Sequence, residues 1–191
     1  MASLERGHLA VISAPSGGGK TTVIRRLLEQ PESNYAYSIS ATTRAPRRGE
    51  QHGREYFFLS PEEFTKRVAE DGFIEWAEVH GNLYGTPKAP VESWMQAGKM
   101  VFLDIDVQGG INVKRQYGAR AVLIFIQPPS LASLRERLVS RQTDSPEAIK
   151  TRLENAEVEM QMATHYDHVV VNHHLEDTVA EVRAIIQHYR S

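Results

Sequence analysis

The sequence predicts an α/β fold in which helices cover both faces of a parallel sheet. Two observations carry this. Four short apolar runs rich in β-branched residues, at 9–13, 101–105, 121–126 and 168–171, are separated by stretches of helical periodicity. Strands that are apolar on both faces belong in a buried parallel sheet. The length of 191 residues, with 41% apolar and 24% charged side chains, also matches one ordinary globular unit able to bury a core.

Taken in order, residues 9–13 form the first strand and 20–29 the helix behind it. Helices follow at about 87–97, 108–117, 131–139, 146–162 and 178–189. Gly98 and Gly118 stand where a left-handed C-terminal cap is wanted. Residues 38–89 read differently, with turn-rich stretches at 45–49 and 81–85, a strand-like 55–59 and the alternation Phe73-Ile74-Glu75-Trp76-Ala77-Glu78-Val79. Between them Ser60-Pro61-Glu62-Glu63 is a capping box with Pro at the first helical position, opening a helix to about residue 71. No repeat, low-complexity tract or Pro/Ser-rich linker interrupts the chain, so 38–89 is expected to be a compact mixed insert rather than a separate domain.

Composition excludes several classes of function. The longest apolar run, 121–126, is far below the roughly 20 residues that cross a bilayer. Glu5 and Arg6 interrupt the stretch where a secretory signal would build its apolar segment, so the expected location is cytoplasmic. With no Cys there is no disulfide, thiolate zinc site or Cys nucleophile. Lys plus Arg number 22 against 24 Asp plus Glu, a net charge of −2, so no broad nucleic-acid-binding face is expected.

The strongest motif is Ala14-Pro15-Ser16-Gly17-Gly18-Gly19-Lys20-Thr21-Thr22, which leaves a strand and opens a helix. That context is what a phosphate-binding loop needs. Glycines let backbone N–H groups converge on a polyphosphate, and the helix N-terminus adds its positive dipole end. Lys20 would reach the β and γ oxygens, and the Thr21 hydroxyl can ligate Mg²⁺. Ala14 replaces the usual Gly, which a backbone of negative φ tolerates.

The buried run 101–105 ends in Asp104 and Asp106. In open parallel sheets ligands bind beyond the carboxyl ends of strands, so both acids would face the phosphate loop and could hold Mg²⁺ waters or a basic partner. Solvated acids of a strand-end turn are the alternative. Asp106-x-x-Gly109 also matches a GTPase switch element, but no Asn-Lys-x-Asp guanine-reading motif occurs in the chain. His165, His168, His173 and His174 lie close in sequence; nothing fixes a third metal ligand, and exposed histidines explain them as well.

Arg44 and Arg47, set among hydroxyls in Ser38-Ile39-Ser40-Ala41-Thr42-Thr43-Arg44-Ala45-Pro46-Arg47, suit the bidentate grip of a phosphate monoester. This loop, the phosphate loop, Gly53-Arg54-Glu55-Tyr56-Phe57-Phe58, Phe73-Ile74-Glu75-Trp76-Ala77, Gly81-Asn82-x-Tyr84-Gly85-Thr86, Leu103-Asp104-Ile105-Asp106-x-Gln108-Gly109 and Val170-Val171-Asn172 appear in one order. With them the chain resembles the guanylate kinase family over roughly residues 8–190. The resemblance implies a P-loop NTPase-type sheet with an inserted mixed α+β monophosphate-binding subdomain at 38–89 and a helical lid at 137–152. It also implies phosphoryl transfer from ATP to GMP in purine nucleotide metabolism, with Mg²⁺ as cofactor and dGMP as a further candidate substrate. Oligomeric state stays open.

Carried over residue by residue, the resemblance assigns Arg44, Arg47, Tyr56 and Tyr84 to the GMP phosphate, Ser40, Glu75 and Thr86 to guanine, and Asp104 to the GMP side of the crevice. Guanine presents N1–H and N2–H₂ as adjacent donors, which one carboxylate can accept in a fork. From alternation alone Glu75 is ambiguous, because it shares a mainly apolar face with Phe73, Ala77 and Val79 while Glu78 interrupts the other. Arg137, Arg141 and Arg152 resemble the lid arginines that would neutralise ATP and the transferred phosphoryl group, joining Lys20 and Arg44 as the catalytic set. Asn172 is assigned to the ATP side. Gln142 and His173-His174 depart from the family pattern, at the lid hinge and at the adenine-side edge. Two other readings remain, a kinase for a different nucleoside monophosphate and an inactive guanylate-kinase-like binding module.

Overall fold

The computed structural model describes residues 7–29, 34–79, 81–140 and 145–189. Five parallel strands form the main sheet: β1 (His8–Ser13), β2 (Tyr35–Tyr37), β7 (Met100–Asp104), β8 (Ala121–Gln127) and β9 (His168–Val171). Their order is β2-β7-β1-β8-β9. The chain steps from β1 outward to β2 and β7 on one side and later to β8 and β9 on the other. The switch point therefore lies at the carboxyl end of β1, where a crevice opens.

Strand alternation builds a core on each face of this sheet. Leu9 and Val11, with Leu103 and Phe125, pack under α3 (Lys88–Gln96) and α4 (Val107–Tyr117) through Val91, Met95 and Val113. Ala10 and Ile12, with Phe102 and Ile124, face α1 (Lys20–Leu28) and α7 (Leu175–His188) through Ile24, Leu27, Val182 and Ile186. Burial of this apolar surface, at about 25 cal/mol per Å², is the main stabilising contribution and holds the strand ends rigid.

Three elements depart from expectation. The edge strand β2 has no counterpart in the apolar runs, because Tyr-Ala-Tyr is short and its tyrosines are only half-buried. Helix α7 begins at Leu175 rather than 178, since His174 caps it without a side-chain hydrogen bond that would mark the start. Helix α2 (Pro61–Ala69) stops before 71, where Asp71 turns to positive φ.

The insert forms a second sheet, ordered β4-β3-β6-β5, from β3 (Ala41–Thr42), β4 (Phe57–Phe58), β5 (Phe73–Val79) and β6 (Asn82–Pro87). Both halves of the Ser60/Glu63 capping box are made, and α2 docks Phe64 against Phe73 with ring centroids 4.4 Å apart. The register of β5 against β6 shifts between Phe73 and Trp76. That irregularity lets the consecutive Phe73 and Ile74 both be buried, one in the small core of the insert and one against the main core. Beyond it, Glu75 and Ala77 lie half-buried on one face and Trp76 and Glu78 are exposed on the other. Finally α5 (Leu131–Ser140) and α6 (Pro146–Met162) pack together through Leu134, Leu138 and Ala156.

Candidate functional site

The phosphate loop leaves β1 and enters α1 through Gly19, which caps the helix in the left-handed region at φ 98°. No side chain fits there: a Cβ on Gly19 would stand 2.6 Å from the Asn172 amide nitrogen. Ala14 has no positive φ, so its Cβ is tolerated. Asn172 is buried and ties the loop down, donating from Nδ2 to the Gly18 carbonyl at 3.0 Å and accepting from Thr178 at 3.1 Å. The sequence places Asn172 on the ATP side; the structure gives its side chain loop-holding bonds.

Lys20 Nζ lies 2.6 Å from Asp104 Oδ1 and donates to the Ile105 carbonyl at 3.3 Å, while Thr21 donates to Asp104 Oδ2 at 3.2 Å. The strand-end acid, the lysine and the hydroxyl are thus one cluster. Asp106 divides its role, because Oδ1 accepts from the Gly109 N–H at 2.7 Å as the N-cap of α4. The turn reading of the acids therefore holds for one oxygen of Asp106, while Asp104 faces the phosphate loop.

Across the crevice the second sheet contributes the remaining groups. A cleft of about 210 Å³ is lined by Lys20, Asp104 and Asp106 on one side and by Ser40, Tyr56, Glu75, Tyr84 and Gly85 on the other. Glu75 accepts from the Thr86 hydroxyl at 2.6 Å, with Thr86 itself fully buried. Burial and the nearby negative charge of Asp106 push the Glu75 carboxyl up, and the Thr86 hydrogen bond partly offsets them. Its Oε2 packs so close to Gly109 that a Cβ there would meet it at 3.0 Å.

Arg44 is held by the Ala45 carbonyl at 2.7 Å and by Glu50 Oε1 at 3.0 Å, and its guanidinium stands over the Tyr56 ring at 5.4 Å. The hydrogen bonds to Glu50 and Tyr84 hold its pKa above the ordinary value. Burial and the charge of Asp104 push the Tyr56 hydroxyl up from its ordinary value. Arg47 is exposed and does not line the cleft; its backbone N–H donates to Glu50 Oε2 at 2.7 Å. Glu50, which orients this whole loop, escaped the sequence reading because a turn acid carries no periodic signal.

On the other flank Arg152 reaches the phosphate loop, with Nη1 donating to Ser16 Oγ at 3.2 Å. Arg137 Nη2 donates to the Asn172 carbonyl at 3.0 Å. Helix α5, which carries Arg137, also presses Leu134 and Leu138 close to Gly17. Arg141 and Gln142 lie outside the described residues. His173 and His174 are exposed beside the loop-holding Asn172.

A family model described as guanylate kinase matches residues 6–189. A guanylate kinase of Bacteroides fragilis is 49% identical over 180 residues, covering 94% of this chain and 88% of that one. A guanylate kinase of Thermotoga maritima is 46% identical over 186 residues, covering 97% and 89%. The crystal structure of guanylate kinase from Anaplasma phagocytophilum superposes with a TM-score of 0.81 at 34% identity, covering 97% of this chain and 87% of that one.

Proposed function

This chain belongs to the guanylate kinase family and is an ATP:GMP phosphotransferase, and we propose that the cleft between its two sheets is where ATP and GMP react to give ADP and GDP. The observation that supports this reading is the confrontation of Lys20 and Asp104 with Tyr56, Glu75 and Tyr84 across a single cleft. No side chain need become covalently modified. In-line placement of the GMP phosphate oxygens against the γ-phosphorus, together with charge neutralisation, supplies the rate.

In this reading the phosphate loop from Ala14 to Thr22 cradles ATP, and Lys20, Arg137, Arg141 and Arg152 take the charge of the transferred group. Arg44, Tyr56 and Tyr84 grip the GMP phosphate, and Arg47, exposed on the same Glu50-held loop outside the cleft, would join them by turning its side chain inward. Ser40, Glu75 and Thr86 read guanine. Arg44 is preset by Glu50, so less side-chain freedom is lost when the phosphate arrives. The residues present suit Mg²⁺: the Thr21 hydroxyl and the Asp104 carboxylate are hard oxygen donors standing side by side next to Lys20. Thr21 would ligate the ion and Asp104, with the free oxygen of Asp106, would hold its waters. When bound it would neutralise charge on the ATP oxygens.

Among the described residues no helix is long and apolar enough to cross a membrane. We propose a cytoplasmic setting, with whose reducing conditions a chain without Cys is compatible.

The deciding assay is coupled ADP release across GMP, dGMP, AMP, CMP and UMP. GMP is expected to be the preferred acceptor, with AMP rejected because its N1 is an acceptor facing a carboxylate. Equal turnover of AMP would overturn the guanine assignment, and no turnover of any monophosphate would favour a binding module.

The second sheet stands on one side of the phosphate loop and the described helices α5 and α6 on the other, so each nucleotide is proposed to close its own flap and exclude water. A bisubstrate analogue should therefore reduce the radius of gyration in solution scattering more than ATP or GMP alone. An unchanged radius would remove the closure.

A further inference from the structure

We propose that Tyr166 and Ser13 are positioning residues for Lys20, acting on it through the carbonyl of Ile105; this rests on reading Lys20 as the group that contacts the transferred phosphoryl. Tyr166 donates from its hydroxyl to Ser13 Oγ at 2.7 Å, and Ser13 Oγ donates to the Ile105 carbonyl at 2.8 Å. The same carbonyl accepts from Lys20 Nζ at 3.3 Å. Ser13 is fully buried and Tyr166 nearly so.

The chain of bonds spans the switch point of the sheet. Ser13 is the last residue of β1 and leads directly into the phosphate loop, while Ile105 follows β7 between the two acids of the site. One serine proton thus ties together the two strand ends on which ATP would sit. A serine hydroxyl rotates freely unless its partners choose an orientation. Here it has two carbonyls to choose from, that of Ile105 at 2.8 Å and that of Asp106 at 3.3 Å. Tyr166 donating into the Ser13 oxygen fills an acceptor position and turns the serine proton toward the carbonyls, of which Ile105 is the nearer. The carbonyl is then held where Lys20 docks.

Tyr166 is itself held. Its ring stands edge-on to Phe125 at 5.7 Å, and α4 passes so close at Gly110 that a Cβ there would run into the hydroxyl. Phe would fill the same apolar volume in the core. The hydroxyl therefore adds orientation to this site beyond packing, since a buried polar group is costly unless its bonds are made.

The test is steady-state kinetics and thermal unfolding of the full chain as Tyr166→Phe, Ser13→Ala, the double variant and Lys20→Ala. Tyr166→Phe should lower kcat about 3- to 10-fold, the scale of one buried hydrogen bond, with the KM for GMP moved less than about twofold. Ser13→Ala should lower kcat at least as much. The double variant should be no slower than Ser13→Ala, because the Tyr166 hydroxyl reaches the Ile105 carbonyl through Ser13, and its longer contact, to the Val107 carbonyl at 3.3 Å, does not touch that group. An unchanged kcat with a lowered Tm in Tyr166→Phe, or losses that multiply in the double variant, would overturn the proposal. Lys20→Ala separates the two readings: wild-type turnover there overturns the site and this inference together, whereas its loss beside a normal Tyr166→Phe overturns the inference alone.

Discussion

Lys20→Ala is expected to lower kcat by about 10²- to 10³-fold, the usual cost of removing one preorganised donor aimed at charge developing in the transition state. The fold should survive. The pair with Asp104 lies at the edge of the cleft, and when the lysine is removed the carboxylate keeps the Thr21 hydroxyl as a partner. GMP binding should also survive, because the groups assigned to guanine lie on the second sheet, across the cleft from the lysine. Asp104 and the Ile105 carbonyl hold the ammonium. The matched control is Lys150→Ala: that lysine is exposed on α6 near Glu154 and should leave turnover unchanged. Coupled ADP release gives the rate and calorimetry the GMP affinity. Wild-type turnover in Lys20→Ala would sink the phosphate-loop assignment.

Much of this arrangement was legible in the sequence because its determinants are local. A glycine-rich loop between an apolar strand and a helix has one common use, and the structure gives Gly19 the left-handed geometry such a loop demands. The capping box of α2 and the alternation in β5 are also local signals. What stayed hidden depends on pairing at a distance. The short strand β2 is held in place by β7 and its own side chains carry no apolar run. The partners of Arg44, and the bonds linking Tyr166, Ser13 and Ile105, join residues that no spacing rule connects. Glu75 is the intermediate case: the strand could be read, but which face of it lines the cleft could not. The bulge after Phe73 decides that, by letting both Phe73 and Ile74 turn inward before alternation resumes.

Glu75→Gln is expected to lower kcat/KM for GMP by about 10²-fold or more, from a charge-assisted hydrogen bond worth roughly 1.5–3 kcal/mol together with the mismatch left behind. A carboxylate can accept both adjacent donors of guanine. The amide keeps one acceptor and turns an N–H toward the other guanine donor. The Thr86 hydroxyl at 2.6 Å and the close backbone of Gly109 restrict how far the side chain can turn to avoid the clash. A site whose buried polar groups match one base rejects a mismatched partner strongly for the same reason. ATP affinity should hardly change, because the phosphate loop lies across the cleft. Glu78→Gln is the control, since Glu78 is exposed on the opposite face of β5 and should be nearly silent. The pH dependence gives a second check. Burial and Asp106 raise the Glu75 pKa, so in the free protein its carboxyl holds a proton to higher pH than an ordinary glutamate. Guanine's two donors favour the ionised form, so GMP binding should release that proton. GMP affinity should therefore rise with pH up to the raised pKa, level off above it, and lose this dependence in Glu75→Gln. Calorimetry in two buffers of different ionisation enthalpy measures the proton release directly. If Glu78→Gln proved the damaging change and Glu75→Gln the silent one, the other face of β5 would have to be the one that reads the base.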